Sequence, residues 1–449
     1  MNTLSFSELQ DLDELYHIHP FTNHTDLYKQ RTYIIQKAEG CFVYDEKNRK
    51  LLDALAGLWC VNVGYGRTEI VDAVCAQMKS VAFYPSFFNT TTEATIRLSE
   101  KLAKIAPKRL NHTVYSNSGS ESNETNLKII RNYWKLKGEP QRIKILSRQY
   151  AYHGVGVAST SLTGLPNCQQ PFDLPLPGFI HLPAPHPYGA NSDLSPEDYG
   201  QWCIQETVKR IEIEGAHTIA AFFVEPIQGA GGVIVPPQSY LKQIRQICRD
   251  FGILFVADEV ITGFGRLGEW FASNLWDLDP DLMSLAKGIT SGYIPLGASM
   301  MSDEIAEVIT KQGYFAHGFT YSGHPTATAA AVANLNLIEK ENLIPRVRDD
   351  VGPYFQKKLQ EFKGHPAVGE IRGCQLIGAI ELLPENGKAG IDPTKPLGLK
   401  ASKIARENGV IIRGIRDLIA VAPPLVITRE EIDLLFSAIR KTIDSLWEK

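Results

Sequence analysis

Between Thr113 and Asp303, short apolar runs alternate with longer stretches whose apolar residues return every three or four positions. The run at 218–225, the amphipathic stretch at 239–251 and the run at 253–258 make one strand–helix–strand unit. Apolar runs without polar alternation suit strands covered on both faces, so the pattern predicts an α/β fold with a mostly parallel sheet flanked by helices. Helical periodicity near Pro325–Glu341 and Arg346–Phe362 then leads to strand patterns at 369–382 and 409–421 and helices at 396–407 and 429–447. This second texture predicts a separate, smaller α+β lobe. Its last helix is the best marked: Thr428 and Glu431 have capping-box spacing, and Ile432, Leu435, Phe436, Ile439, Ile443 and Leu446 form one stripe. The proline-rich segment Pro171–Gly189 reads as the one long irregular stretch, either a surface loop or a loop near a site mouth.

Composition narrows the function classes. The 449 residues carry 46 basic against 50 acidic side chains, a net charge of −4, with no long run of like charge. That balance argues against nucleic acid or an anionic membrane surface as partner. Seven cysteines stand singly, without CxxC pairs or a Cys/His zinc spacing, which argues for free thiols in a reducing, cytoplasmic setting and against a metal centre. Met1–Leu15 holds four acidic residues and no basic start to a secretory signal, and apolar runs such as Ile219–Val224 are far too short to span a membrane.

The candidate chemistry starts at Lys287, which lies in an apolar stretch before Gly288 and Gly292. Partial burial there would lower its pKa and make the amine the nucleophile that imine chemistry needs. Asp258 closes the apolar run Ile253–Ala257, which places a carboxylate at the carboxyl edge of a parallel strand, where open α/β sheets build their sites. A carboxylate in that position can keep a pyridine nitrogen protonated and turn the ring into an electron sink. Ser118, Gly119 and Ser120 follow the strand Thr113–Asn117 and open a helix running through Trp134, so their free N–H groups offer a phosphate site. In Tyr152-His153-Gly154 an aromatic face is available for stacking, with Val260, two residues past Asp258 on an extended chain, as candidate for the opposite face. Gly229-Ala230-Gly231-Gly232 lacks the dinucleotide fingerprint and reads as a tight loop lining the pocket.

Together these segments resemble the class III pyridoxal phosphate-dependent aminotransferases of fold type I, also called subgroup II. The resemblance covers nearly the whole chain and rests on Phe223-Val224-Glu225-Pro226, Asp258-Glu259-Val260, Gly263-Phe264-Gly265-Arg266, Lys287-Gly288, Gly292-Tyr293, Pro295-Leu296-Gly297 and Thr320-Tyr321-Ser322-Gly323-His324-Pro325. It implies a large cofactor-binding domain at 71–335 and a small domain assembled from 1–70 and 336–449. It also implies that Lys287 carries pyridoxal 5'-phosphate, that Asp258 pairs with the pyridinium, and that Gly119 and Ser120 bind the phosphate. Tyr152, His153, Glu225 and Val260 would complete the cofactor site, with Thr320 supplied by the other subunit of a homodimer or dimer of dimers. The implied reaction is a ping-pong transfer between small amine and oxo-acid substrates.

Within that family the finer resemblance is to the ω-amino acid:pyruvate and amine:pyruvate branch. Relatives that use 2-oxoglutarate commonly place a glutamate where this chain has Ala230, so the departure points to pyruvate. Phe21, Leu58-Trp59 and Phe87-Phe88 match the aromatics that narrow one substrate pocket in that branch. A mobile carboxylate-binding arginine is aligned with Arg413, and Arg416, three residues on along an extended strand, would face the other way. Leu267 replaces a threonine common in the family, which bears only on local packing. The alternatives are a 2-oxoglutarate-dependent 4-aminobutyrate-type aminotransferase, a same-fold aminomutase or epimerase, and, most remotely, a non-catalytic binding or assembly protein.

Overall fold

A computed structural model describes residues 4–384, 387–390, 392 and 394–447. The outermost residues of the two expected terminal segments, 1–3 and 448–449, lie outside the described residues. Near the start, Ile35–Glu39 (β1), Phe42–Asp45 (β2) and Lys50–Asp53 (β3) form an antiparallel meander. Leu110–Ser116 (β4), Lys144–Arg148 (β5), Phe179–Leu182 (β6), Ile219–Val224 (β7), Leu254–Asp258 (β8), Leu282–Leu285 (β9) and Gly297–Ser302 (β10) then build a seven-stranded sheet in the order β4-β10-β9-β8-β7-β5-β6. Only β10 runs against its neighbours, so the sheet is mostly parallel.

Every residue of β7 and β8 is buried, as their unbroken apolar character requires. Phe222, Val224, Phe255 and Ala257 enter one apolar cluster, while Ala221, Phe223, Leu254 and Val256 enter another with Ile129, Ile130 and Tyr133 of the helix Gly119–Leu136. Alternation thus divides the two central strands between the two faces, and truncating any of the three phenylalanines would cost about 3–5 kcal/mol.

The lobe beyond holds Val368–Cys374 (β11), Ile377–Leu382 (β12), Val410–Ile411 (β13), Arg413–Ile415 (β14) and Leu418–Val421 (β15). Four of these form an antiparallel sheet in the order β11-β12-β15-β14, whereas β13 pairs parallel with β3, so both chain ends share one sheet. Arg266, fully buried, donates to the Leu376 carbonyl at 3.3 Å, to Asn62 Oδ1 at 3.1 Å and to the Pro423 carbonyl, tying that lobe to the N-terminal segment. None of the described helices is long and apolar enough to cross a membrane.

Several sequence expectations need correction. The patterns at 369–382 and 409–421 are each divided, the first by a turn at Gln375 in left-handed backbone (φ 51°), the second around Ile412 and Arg416. The expected helix Arg346–Phe362 passes through a π-turn at Val347–Val351 before resuming at Gly352, because Pro353 has no N–H to continue the ladder. Pro171–Gly189 is not irregular throughout: Phe179–Leu182 joins the sheet as edge strand β6, which prolines flank without interrupting.

Candidate active site

The site gathers at the carboxyl ends of the parallel strands. After β4, Ser118 caps the helix Gly119–Leu136, its hydroxyl accepting from Glu121 N at 3.2 Å. The N–H groups of Gly119 and Ser120 have no acceptor among the described residues and face outward at the positive end of the helix. A Cβ on Gly119 would lie 3.0 Å from both Val260 methyls, and one on Gly154, whose φ is +129°, would lie 2.6 Å from Ser120 Oγ. The two glycines therefore keep the approach to these amides open.

Asp258 ends β8 and is buried with all its bonds directed. Its Oδ2 accepts from Asn123 Nδ2 at 2.8 Å and lies 2.7 Å from His153 Nδ1, while Oδ1 accepts from Val260 N at 3.1 Å. Asn123 also donates to the His153 carbonyl at 2.8 Å and accepts from Ser284 at 2.6 Å, and Asn126 donates to Ser284 at 2.8 Å. His153 rests edge-on against Phe223, with ring centroids 6.0 Å apart. Such a network fixes the carboxylate's direction.

Glu225, just past β7, accepts from the amides of Tyr152 (2.9 Å) and Gly229 (3.2 Å). Burial pushes its carboxyl up to about 7, with Asp258 adding to the rise and His153 opposing it. Lys287 follows β9 in a short 3₁₀ turn and itself holds φ 48°, a left-handed conformation that a lysine adopts only when its surroundings dictate it. Asn334 supplies that constraint by donating to the carbonyls of Gly288 (2.9 Å) and Ile289 (3.0 Å). Burial pushes the Lys287 amine below its ordinary value, against the pull of Cys60, Asp258 and Glu225.

One cavity brings together Gly119, Ser120, Tyr152, His153, Glu225, Asp258, Val260 and Lys287, and Asn123, Gly154, Ile227 and Ile261 complete its lining. Open N–H groups, a directed carboxylate and a desolvated amine match the phosphate, ring nitrogen and aldehyde of pyridoxal 5'-phosphate, so the residues present fit that group. Asn123 escaped the sequence reading. Its signal was its place four residues after Gly119, which puts it one turn along the same helix face. Val260 reaches the cavity by a different route from that expected, because β8 stops at Asp258 and residues beyond it turn away from extended geometry.

The expected substrate residues scatter more. Trp59 is buried and shares an apolar cluster with Ile227 and Ile261 of the cavity wall. Ala230 lies in a loop closed by the Gln228–Ile234 bridge, and the cavity is lined by the root of that loop rather than its tip. Phe21 is 68% exposed, and Phe87 lines a separate groove with Phe88, Tyr115, Tyr314 and Phe315. Thr320 is exposed two residues before Ser322, which lines that same groove.

Of the two candidate arginines, Arg416 is the one with a hydrogen bond to the Gly229–Gly232 loop. Arg413 on β14 and Arg416 just beyond it are both exposed; Arg416 donates to the Gly231 carbonyl at 2.8 Å and sits 5.3 Å from the Tyr150 ring centroid. β14 ends at Ile415 and Arg416 turns through φ 49°, so strand alternation does not carry through to Arg416.

Residues 25–443 match the family model described as aminotransferase class-III. The chain is 44% identical over 437 residues to the putrescine–pyruvate aminotransferase of Pseudomonas aeruginosa, covering 97% of this chain and 96% of that one. It superposes with TM-score 0.94 on an (S)-enantioselective omega-transaminase from Thermomicrobium roseum, at 43% identity over 99% of this chain and 100% of the other. The omega transaminase of Pseudomonas jessenii in complex with PMP gives TM-score 0.94 at 39% identity, covering 98% of each chain.

Proposed function

Because the chain belongs to the class-III aminotransferases, we propose that it moves the amino group of an amine or ω-amino acid onto pyruvate, releasing L-alanine in a ping-pong reaction. The observation that carries this reading is the wall around Arg416. Position 230 is alanine, and Arg416 meets the Gly231 carbonyl and the Tyr150 ring but no carboxylate within 4.0 Å among the described residues. Releasing one such hydrogen bond costs about 1 kcal/mol, against about 3–5 kcal/mol for breaking a buried ion pair. An arginine so lightly held can meet a substrate carboxylate and withdraw from an uncharged amine. The activity named for the P. aeruginosa relative supports a small diamine among the donors.

The cofactor is pyridoxal 5'-phosphate, which when bound supplies an electron-withdrawing ring that lets an amino group leave one carbon and join another. Gly119 and Ser120 would hold its phosphate, and Asp258, aimed by His153 and Asn123, would hold its ring nitrogen. Tyr152 and Val260 would flank the ring, and Glu225 would brace the Tyr152 and Gly229 backbone. Lys287, its amine pushed below the ordinary value by burial, would anchor the group, then take a proton from the substrate carbon at Nζ and hand it to the cofactor carbon. Trp59, Phe21 and Phe87 would restrict the substrate space. Phe87 and Thr320, lying outside the Lys287 cavity, support a homodimer or dimer of dimers in which each copy completes the other's site. Seven free thiols support a reducing, cytoplasmic location.

A half-reaction tests the acceptor. Holoenzyme mixed with L-alanine should convert its cofactor absorbance to that of the aminated form, and L-glutamate should leave it unchanged. Conversion by glutamate alone would overturn the assignment in favour of a 2-oxoglutarate enzyme.

A further inference from the structure

The N-terminal helix Phe6–Tyr16 (α1) carries Glu8, Asp11, Asp13 and Glu14 and no lysine or arginine. His17 closes it with extended backbone (φ −117°, ψ 122°), and His19 precedes Pro20, which also favours an extended residue. Two extended steps place His17 and His19 on one side and Ile18, 82% exposed, on the other. Their rings lie 4.3 Å apart. His17 Nδ1 is 3.0 Å from Asp13 Oδ1, and His19 Nε2 is 2.8 Å from Asp13 Oδ2, so one carboxylate is gripped from both sides. Thr32, beyond the helix His24–Gln30 (α2), donates its hydroxyl to the same Oδ2.

We propose that Asp13, His17 and His19 form a site for a divalent transition-metal ion of the zinc class. One nitrogen from each histidine and one carboxylate oxygen lie within 4.8 Å of one another. A tetrahedral ion with bonds of about 2.0–2.1 Å separates its ligand atoms by roughly 3.3 Å; Asp13 Oδ2 lies 2.8 Å from His19 Nε2 and would open slightly, while the wider separations within the set, at most 4.8 Å, would close toward that spacing. Two nitrogens that now share protons with one carboxylate would instead share one dication, with water in the fourth position. The imidazoles must be neutral to coordinate, so binding releases protons and weakens in acid. The acidic surface of α1 favours a cation, and the neighbouring Arg31 is already engaged by Asp11 and Glu14. A bound ion would brace the end of α1 against the link that leads to Phe21. A search for Cys/His spacing misses this set, because Asp13 and His17 are one helical turn apart while His19 follows at strand spacing.

The test is a calorimetric titration of untagged holoenzyme with zinc chloride, in the absence of any amine donor. The proposal expects one zinc ion per chain. Its affinity should fall at least about tenfold in His17→Ala and in His19→Ala, and again between pH 7.5 and 5.5. His112→Ala, which removes another surface histidine–aspartate pair, should leave binding unchanged, and circular dichroism should show all variants folded. No zinc uptake by the wild type, or undiminished uptake by the folded double variant lacking both histidines, would overturn it.

Discussion

Arg416 at φ 49° sends its side chain toward the Gly229–Gly232 loop, whereas continued strand geometry would have sent it away. A charge-assisted bond to a substrate carboxylate contributes about 1.5–3 kcal/mol, so Arg416→Ala should raise KM for pyruvate and for a carboxylate-bearing donor roughly ten- to hundredfold. Turnover of an uncharged alkylamine donor, measured in the first half-reaction, should change little, and Arg413→Ala should affect neither. Equal losses in both variants would refute the distinction. Lys287 and Asp258 were legible because each is a polar residue where an apolar run ends, and burial follows from the run. The direction of Arg416 was not, because a left-handed torsion at a turn ends the alternation that a strand would impose. Asn123 was hidden for a different reason: a helix supplies many polar residues, and only tertiary packing shows which one meets Asp258.

At the scale of elements, the proposed phosphate cradle depends on how closely the Tyr152–Gly154 segment crosses the start of the Gly119 helix. A Cβ at 154 would come within 2.6–2.8 Å of Ser120 atoms, two of them on its side chain and one its Cα, in backbone at φ +129°. Gly154→Ala should therefore lower the Tm of the apo-protein, by a cost of about 1–3 kcal/mol, and reduce retained cofactor, read from its absorbance after gel filtration. Gly138→Ala makes the useful comparison: its φ is +81°, yet nothing lies within 4 Å of the added methyl, so it should lose some stability and keep its cofactor. The central strands were readable because fully buried strands need unbroken apolar sequence. The division between β11 and β12 was not, since Gln375 turns the chain without a glycine or proline to announce it.

For the whole molecule, the positions of Phe87 and Thr320 set the question, because both lie away from the cavity that holds Lys287. If a second copy completes each site, Lys287→Ala and Thr320→Ala chains, each inactive at limiting cofactor, should recover up to about a quarter of wild-type activity after random subunit exchange. Half the exchanged dimers would be hybrids, each with one intact site. A catalytically competent monomer, or no recovery despite verified exchange, would contradict the proposal. The joining of both chain ends has a consequence for synthesis. Leu52 pairs with Val410, and the Ala54 carbonyl waits for the Ala422 amide at 2.7 Å. At about 5–20 residues per second, the roughly 360 residues between those strands take about 20–70 s to emerge from the ribosome. For that interval β3 has an unpaired edge, a template for chaperones or for a neighbouring nascent chain, and the enzyme's N-terminal meander is the last of its early-made parts to be sealed.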